Sequence, residues 1–208
     1  MWTRCSGMCT MYAMSRDRIF EAAKAVVAEE GLAGLTIRKV AQRAGMSAMA
    51  LYRHFADKDA LLNALMDDGF AAWEGIVRSI QVEDPIRWLE QVQEAFLAFA
   101  LAEPHRFDAA FLFPAPRARQ YPDDFAAGRS PAVAMIMHRI DQAKAQGRLG
   151  DRPALDIALG LSALAQGLVS MHRANRFSSE AQFKALFRSA LRHGLNSYRS
   201  PAPENLDD

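Results

Sequence analysis

The sequence predicts an all-α fold, in which a three-helix N-terminal domain precedes a larger helical bundle. From Ser15 onward, apolar residues return at intervals of three and four positions, the spacing of a buried helical stripe. No stretch shows the sustained alternation of a half-buried strand. Pro85 and Pro104 stand where helices would begin, and Gly31 stands where one would end. At 208 residues, half of them apolar, the chain can bury one substantial core and a small accessory module.

The first predicted helix begins at Ser15, a favourable N-cap residue, and stops at Gly31. Its buried stripe consists of Ile19, Ala22, Ala23, Val26 and Val27. A basic and aromatic stretch of 23 residues follows directly, and it reads TIRKVAQRAGMSAMALYRHFADK, residues 36–58.

This stretch divides into two short helices. The first is capped by Thr36 and carries one apolar stripe, Ile37, Val40, Ala41 and Ala44. Gly45 permits a sharp left-handed turn, and Ser47 caps the second helix. The inward residues of that second helix are Ala48, Leu51 and Phe55. Two short helices joined by a glycine turn predict a helix-turn-helix.

The rest of the chain contains six further predicted helices. One runs from Asp57 to about Ile80, one from Pro85 to about Ala102, and a short one from Pro104 to Phe113. A proline-rich loop separates these from three final helices at roughly 131–146, 153–174 and 179–198.

The outer side of the second short helix suits the major groove of DNA. Arg53 can donate a bidentate pair to guanine, and Met49 and Ala50 can touch a thymine methyl group. Tyr52 and His54 can donate to phosphates. Positive charge from Arg38, Lys39 and Lys58 flanks this surface, and the helix starts at Thr36 and Ser47 add backbone donors. The alternative is a helical hairpin whose basic side chains merely face solvent.

The net charge of +1 is uninformative about DNA binding, but the distribution of charge along the chain favours it. Residues 1–60 contain nine Lys or Arg against six Asp or Glu, whereas residues 61–110 contain three against nine. Because phosphate binding depends on where charge lies, the basic N-terminal part is the region to consider for a nucleic acid.

Residues 18–65 resemble the DNA-binding domain of the TetR family of transcriptional regulators. The resemblance rests on the connection from Gly31 to Thr36, on VAQRAGMS at 40–47 and on LYRHFADKDALL at 51–62. It implies that residues 48–54 enter the major groove, with phosphate anchors at Thr36, Tyr52, His54 and Lys58 and base-reading positions at Arg38, Met49, Ala50 and Arg53. Ala48 and Ala50 stand where family members often have polar residues or Gly or Thr, so fewer hydrogen bonds to bases are available and DNA shape would contribute more to specificity. Tyr52 could instead serve partly as packing.

The resemblance also divides the chain. We expect a DNA-binding domain at 15–60, an effector-binding and dimerisation domain at 61–200, and a disordered tail at 201–208. Residues 1–14 lack periodicity and are expected to form a disordered leader, whose translation in the native protein the sequence does not establish. The alternative is a basic arm that reaches a DNA minor groove.

A small, mostly apolar effector is expected between the central helices. Aromatic and Met side chains recur there with three histidines among them, as a ligand cavity would require. The candidate residues are Phe96, Phe99, His105, Phe107, Phe111, Met135, His138 and His172. The alternative is that the Phe stripe belongs to the ordinary core.

The last two helices are expected to form the interface of a homodimer. The stretch 161–173 is apolar almost all round, which implies that two neighbours cover it. Paired with the final helix in each of two subunits, it would make a four-helix interface of the isologous kind. The candidate residues are Leu161, Leu164, Leu168, Phe183, Phe187 and Leu191. A monomer with a thick core is the alternative.

Other functions lack support in the sequence. There is no glycine-rich phosphate loop or nucleophile motif, and the carboxylates follow solvated helix faces, so we expect neither catalysis nor a cofactor. Cys5 and Cys9 have no partners for a zinc site or a disulfide framework. The longest apolar run, 157–171, falls short of the roughly 20 residues that a bilayer span needs. We therefore expect a cytoplasmic regulator. The alternative is a helical interaction protein that has lost DNA binding.

Overall fold

The computed structural model describes residues 6–200, and their side chains from Arg16 onward except that of Ala33. Within this range the chain is built from helices and contains no strand, only an isolated antiparallel bridge between Leu149 and Arg199. The helices are α1 (Ser6–Gly34), α2 (Ile37–Arg43), α3 (Ala48–Tyr52), α4 (Lys58–Ser79), α5 (Pro85–Ala102), α6 (Pro104–Phe111), α7 (Asp123–Ala126), α8 (Pro131–Ala145), α9 (Ala154–Arg173) and α10 (Glu180–Asn196). The all-α prediction is confirmed.

The first helix starts earlier than the sequence indicated. Its helical residues extend back to Ser6, within the leader expected at residues 1–14, and residues 1–5 lie outside the described range. A helix that is already held by a buried stripe can extend into a segment without apolar periodicity, because each added residue contributes a backbone hydrogen bond. At its other end the helix is interrupted at Gly31, where φ is 68°, as the sequence predicted.

The chain forms two compact units. The first contains residues up to Phe70 together with Pro104–Ala118, and the second contains Ala71–Glu103 and the residues from Arg119 onward. The first unit thus extends beyond the boundary expected at residue 60, because α6 packs back against α1. Such a long-range return of the chain has no local signal in the sequence.

The core of the first unit joins α1, α2, α3 and the start of α4. Its fully buried side chains include Ile19, Leu35, Val40, Leu51 and Leu61. Ala109 of α6 lies in the same cluster, and Phe113 packs against it. An ion pair also ties α6 to α4, with Arg106 Nε 2.7 Å from Asp68 Oδ2.

The second unit is a bundle of α5, α8, α9 and α10, which contact one another. The inner face of α10 consists of Phe183, Phe187, Leu191 and Leu195, each at most 1% exposed. On the bundle surface, Arg188 of α10 makes a bidentate pair with Glu94 of α5. The bounds of these helices follow the predicted ranges closely, whereas the four-residue α7 was not predicted.

The helix α9 is longer than its apolar run suggested. It has 20 residues and is the one helix in the described range whose length and composition would suffice to cross a membrane. One third of its most apolar window is buried, and it packs against α5, α8 and α10, as core helices of globular proteins do. We therefore treat α9 as a bundle helix.

Candidate functional site

Both helices of the predicted helix-turn-helix are capped as the sequence indicated. Thr36 Oγ1 accepts a hydrogen bond from the backbone N–H of Lys39 at 3.3 Å, and Ser47 Oγ accepts one from the N–H of Ala50 at 3.1 Å. Between the two helices Gly45 adopts φ 65°, in the left-handed region that favours glycine. Thr36 thus marks the start of α2, Gly45 the turn after it, and Ser47 the start of α3.

A side chain from α1 also holds this turn. Arg18 Nη2 donates a hydrogen bond of 2.6 Å to the carbonyl oxygen of Ala44, the last residue before Gly45. A Cβ atom at position 45 would lie only 3.2 Å from the same nitrogen. This contact has no local signal in the sequence, because Arg18 and Ala44 are 26 positions apart.

The inner side of α3 is anchored in the core. Leu51 is fully buried and Phe55 is 4% exposed, and the rings of Phe20 and Phe55 meet edge to face at 5.8 Å. The guanidinium of Arg16 lies over both rings, 5.7 and 5.4 Å from their centres. Because the buried side is fixed, the direction of the opposite side is fixed as well.

That opposite side carries the predicted DNA-contacting side chains. Met49 is 75% exposed, Tyr52 is 49% exposed, and Arg53 is exposed too. Among the other candidates, three are exposed: Thr36, Arg38 and Ser47. Three more are half-buried: Ala50, His54 and Lys58.

Lys39 is placed differently from the expectation of a freely available positive charge. Its ammonium group forms an ion pair with Glu30 of α1, and Arg43 of α2 pairs with Glu29. The hydrogen bond from Arg43 lowers the pKa of Glu29 below its ordinary value and raises that of Arg43. These pairs lie between α1 and α2, so a phosphate would compete with Glu30 for Lys39.

The predicted effector residues are distributed over both compact units. Phe96 and Phe99 pack on Trp73, with ring centres 5.2 and 6.1 Å from it, inside the second unit. Phe107 and Phe111 contact each other at 4.9 Å in the first unit, to which His105 also belongs.

His172 of α9 packs on the last helix. Its ring stacks on Phe183 at 4.2 Å with the two planes nearly parallel. Phe183 is fully buried, so this face of the imidazole is covered by the bundle core.

Met135 and His138 do line a cavity. It is an open groove of about 760 Å³ in the second unit, between the end of α4, the segment 80–84, the start of α5 and one face of α8. Its lining combines apolar and polar side chains: Val77, Ile80, Val82, Trp88, Ala134 and Met135 with Arg78, Gln81, Glu83, His138, Arg139 and Gln142.

The predicted dimer residues require a correction. Phe183, Phe187 and Leu191 are at most 1% exposed within their own subunit, and Leu161 and Leu168 are 7% exposed. Hydrophobicity showed that these helices need cover, but it could not distinguish the side facing their own bundle from the outer side. Only Leu164, at 36%, is exposed.

A different apolar surface is available on the same two helices. Met171 and Leu186 are each 46% exposed. Small exposed residues of α9, namely Gly160, Ala163, Gly167 and Ser170, lie at helical spacing with Leu164 and Met171. We call Leu164, Met171, Leu186 and these four small residues the outer apolar face.

Among the side chains that the structure describes, no group of three or more His, Cys, Asp or Glu is arranged to hold a metal ion. The site is therefore a capped, core-anchored pair of helices with a partly basic outer face, which is the arrangement of a helix-turn-helix DNA-binding regulator.

Comparison with known proteins gives the family. The family described as "Bacterial regulatory proteins, tetR family" matches residues 19–65, and "Tetracyclin repressor-like, C-terminal domain" matches residues 89–193, about half of the chain. The chain belongs to the TetR family of transcriptional regulators.

Curated relatives agree with this assignment over part of their length. The chain is 39% identical over 95 residues to the HTH-type transcriptional repressor KstR2 of Mycobacterium tuberculosis, which covers 43% of this chain and 45% of that protein. The chain thus aligns with less than half the length of this relative.

Solved structures share the fold over nearly the whole chain. A TetR transcription regulator from Haloarcula marismortui has a TM-score of 0.72 at 19% identity, with 90% of this chain and 100% of that chain covered. A TetR-family regulator from Haemophilus influenzae has a TM-score of 0.65 at 18% identity, covering 90% and 98%. At such identities the likeness concerns the fold alone.

Proposed function

We propose that this protein is a homodimeric transcriptional repressor that binds a pseudo-palindromic operator and is released from it by a small effector. The observation that carries the proposal is the outer side of α3 and of the turn after it, where Met49, Tyr52 and Arg53 are exposed while the buried Leu51 and Phe55 fix the inner side. A helix held in this way can present its side chains to base edges without reordering.

The side chains of this surface divide into two roles. Arg53, Met49 and Arg38 read or approach bases, while Thr36, Ser47, Tyr52, His54 and Lys58 hold phosphates. Ala50 contributes only a methyl contact, so few side chains determine the sequence preference. Lys39 acts as a phosphate contact only when its pair with Glu30 opens.

Two copies of the chain are needed for operator recognition. Paired recognition helices read half-sites one turn of DNA apart, about 34–36 Å. The outer apolar face supports such pairing, since its small residues allow close approach around Leu164, Met171 and Leu186. An effector in the second unit would favour a state in which the distance between the two recognition helices no longer matches the half-site spacing. The change would be transmitted by α4, which begins at the phosphate contact Lys58.

A mobility-shift titration with the DNA upstream of the protein's own gene tests the DNA-binding role. Arg53→Ala should cost about 1–3 kcal/mol on the operator and relax the preference over random DNA. Lys58→Ala should weaken binding to both DNAs alike and flatten the salt dependence. Arg192→Ala, which removes an exposed charge from α10, is the matched control and should change neither.

Two results would contradict the proposal. One is an absence of salt-dependent binding to any DNA by the wild-type protein, which would favour a helical interaction protein. The other is an equal loss on operator and random DNA for Arg53→Ala, which would remove its base-reading role.

A further inference from the structure

We propose that the groove beside α8 binds a small molecule that carries one carboxylate on a flat apolar group. The ligand would serve as the effector, and in that respect the inference rests on the proposed function. It sharpens the expected ligand from mostly apolar to apolar and singly anionic, and it follows from the side chains of the groove.

The apolar part of the groove can accept a flat hydrocarbon group. Trp88 and Val77 are 3% and 1% exposed and form its closed side, while Ile80 and Met135 are half-buried. A volume of about 760 Å³ lies within the range of roughly 300–1,000 Å³ typical of small-molecule sites. Met135 can adapt to the shape of a ring because its side chain is unbranched and polarisable.

Arg139 supplies a cation that is held in place. Its guanidinium lies over the ring of Trp88, 5.3 Å from the ring centre. Its Nη1 donates to the carbonyl oxygen of Glu83 at 3.2 Å and to Gln142 Oε1 at 3.1 Å. A guanidinium fixed by stacking and two hydrogen bonds loses little further entropy when it binds a ligand.

The partners of this cation differ from those of two other arginines of the second unit. Arg148 pairs with Asp84 and Arg188 pairs with Glu94, whereas both acceptors of Arg139 are neutral. Among the described residues no carboxylate lies within ion-pair distance of Arg139. Its Nε and Nη2 remain as donors in the planar geometry that matches a carboxylate. A half-buried guanidinium without a counter-ion favours an anionic ligand.

His138 adds a second donor through Gln142. The Oε1 atom of Gln142 accepts from Arg139, so its amide nitrogen donates to His138 Nε2, 3.1 Å away. In the neutral imidazole the proton then lies on Nδ1. Arg139 and His138 therefore both offer donors, as a carboxylate requires.

The remaining charges of the groove limit the ligand to one negative charge. Arg78 is already paired with Glu74 of the same helix. Glu83, whose side chain is exposed, is the one carboxylate residue among those that line the groove. A dianion such as a phosphate monoester would meet repulsion from Glu83 that a monocarboxylate with an apolar ring partly avoids.

Isothermal titration of the DNA-free protein with 2-naphthoate and with 2-naphthamide tests the proposal. The two probes have nearly the same shape and differ in charge. Because naphthoate adds a charge–charge attraction and a second acceptor oxygen for Arg139 that the neutral amide lacks, it should bind about 10-fold more tightly or better. Equal affinities, or binding of neither probe, would overturn the proposal.

Variants separate the carboxylate contact from the fold. Arg139→Gln should remove the preference for naphthoate, and Arg87→Gln, an exposed α5 residue outside the groove, should leave it intact. Met135→Trp should fill the groove and weaken both probes without altering Arg139, so it decides the matter even if Arg139→Gln proves unstable. Unchanged naphthoate binding in Met135→Trp would place the ligand elsewhere and refute the site.

Operator binding by the same proteins distinguishes this inference from the proposed function. Wild-type protein that binds the operator but shows no preference for naphthoate refutes the groove alone. Protein that prefers naphthoate but binds no DNA upholds the groove and refutes the repressor.

Discussion

Replacing Gly45 by alanine should separate the geometry of the helix-turn-helix from the stability of the chain. Gly45 has φ 65°, and Gly147, after α8 in the second unit, has φ 69°. In both places a Cβ costs about 1–2 kcal/mol in the left-handed region. About 0.4–1 kcal/mol of that cost is offset because alanine restricts the unfolded chain. The backbone penalty is therefore about 1 kcal/mol at either position.

The surroundings of the two glycines differ. No heavy atom lies within 4 Å of the Cβ position at Gly147, whereas at Gly45 Arg18 Nη2 lies 3.2 Å away. The methyl group of Gly45→Ala would push Arg18 from the carbonyl of Ala44 and weaken a bond of about 1 kcal/mol. We expect Gly45→Ala to lower the free energy of unfolding by about 2 kcal/mol and Gly147→Ala by about 1 kcal/mol.

The decisive assay is operator affinity, measured by mobility shift at a temperature at which both variants are folded. Gly45→Ala should bind the operator at least about 10-fold more weakly, since a shift of about 1 Å in α3 breaks contacts of 1–3 kcal/mol. Gly147→Ala should bind like wild type. If the two variants lose operator affinity equally, or if Gly45→Ala loses none, the turn does not position the recognition helix.

Three further outcomes follow from the contacts described above. Phe183→Ala should cost about 3–5 kcal/mol in urea unfolding, whereas Leu186→Ala on the opposite side of α10 should cost about 0.5 kcal/mol or less; similar losses would mean that the two sides are not inner and outer. Leu164→Glu should convert a dimer to a monomer by light scattering without loss of helix content, and an unchanged mass would remove the outer apolar face from the interface. The hydrogen bond from Arg106 lowers the pKa of Asp68 below its ordinary 3.8. The pair therefore stabilises the protein above about pH 4, by up to about 1 kcal/mol at this partial exposure. This advantage over Asp68→Asn should be lost as the pH falls below 3.8 through the lowered pKa, and an advantage that persists in unfolding at about pH 2 would contradict it.

Features that depend on neighbours in sequence were predictable. The caps at Thr36 and Ser47 and the glycine turn at Gly45 involve groups at most three positions apart, so composition and spacing indicated them. The starts of α5 and α6 at Pro85 and Pro104 were predictable for the same reason, since proline lacks the N–H that the first turn of a helix leaves unused.

Features that depend on contacts between distant parts of the chain were not predictable from the sequence. Lys39 of α2 pairs with Glu30 of α1, and Arg18 of α1 donates to the backbone carbonyl of Ala44 just after α2, so both contacts join distant parts of the chain. The four Phe residues among the eight predicted effector residues pack on other aromatic rings. The sequence could not predict this packing, because an apolar stripe is typical of a core and of a cavity alike.

By itself, the sequence determined the all-α class, the helix-turn-helix and the identity of the side chains on its outer face, since helical periodicity, caps and a glycine turn are local properties. Only the tertiary structure decided which side of α10 is buried, which apolar side chains of α9 and α10 remain exposed, and that Arg139 stacks on Trp88 with no carboxylate partner among the described residues. The physical reason is that periodicity shows a helix has an apolar side, whereas its neighbours in space decide what covers that side and which charges stay unpaired.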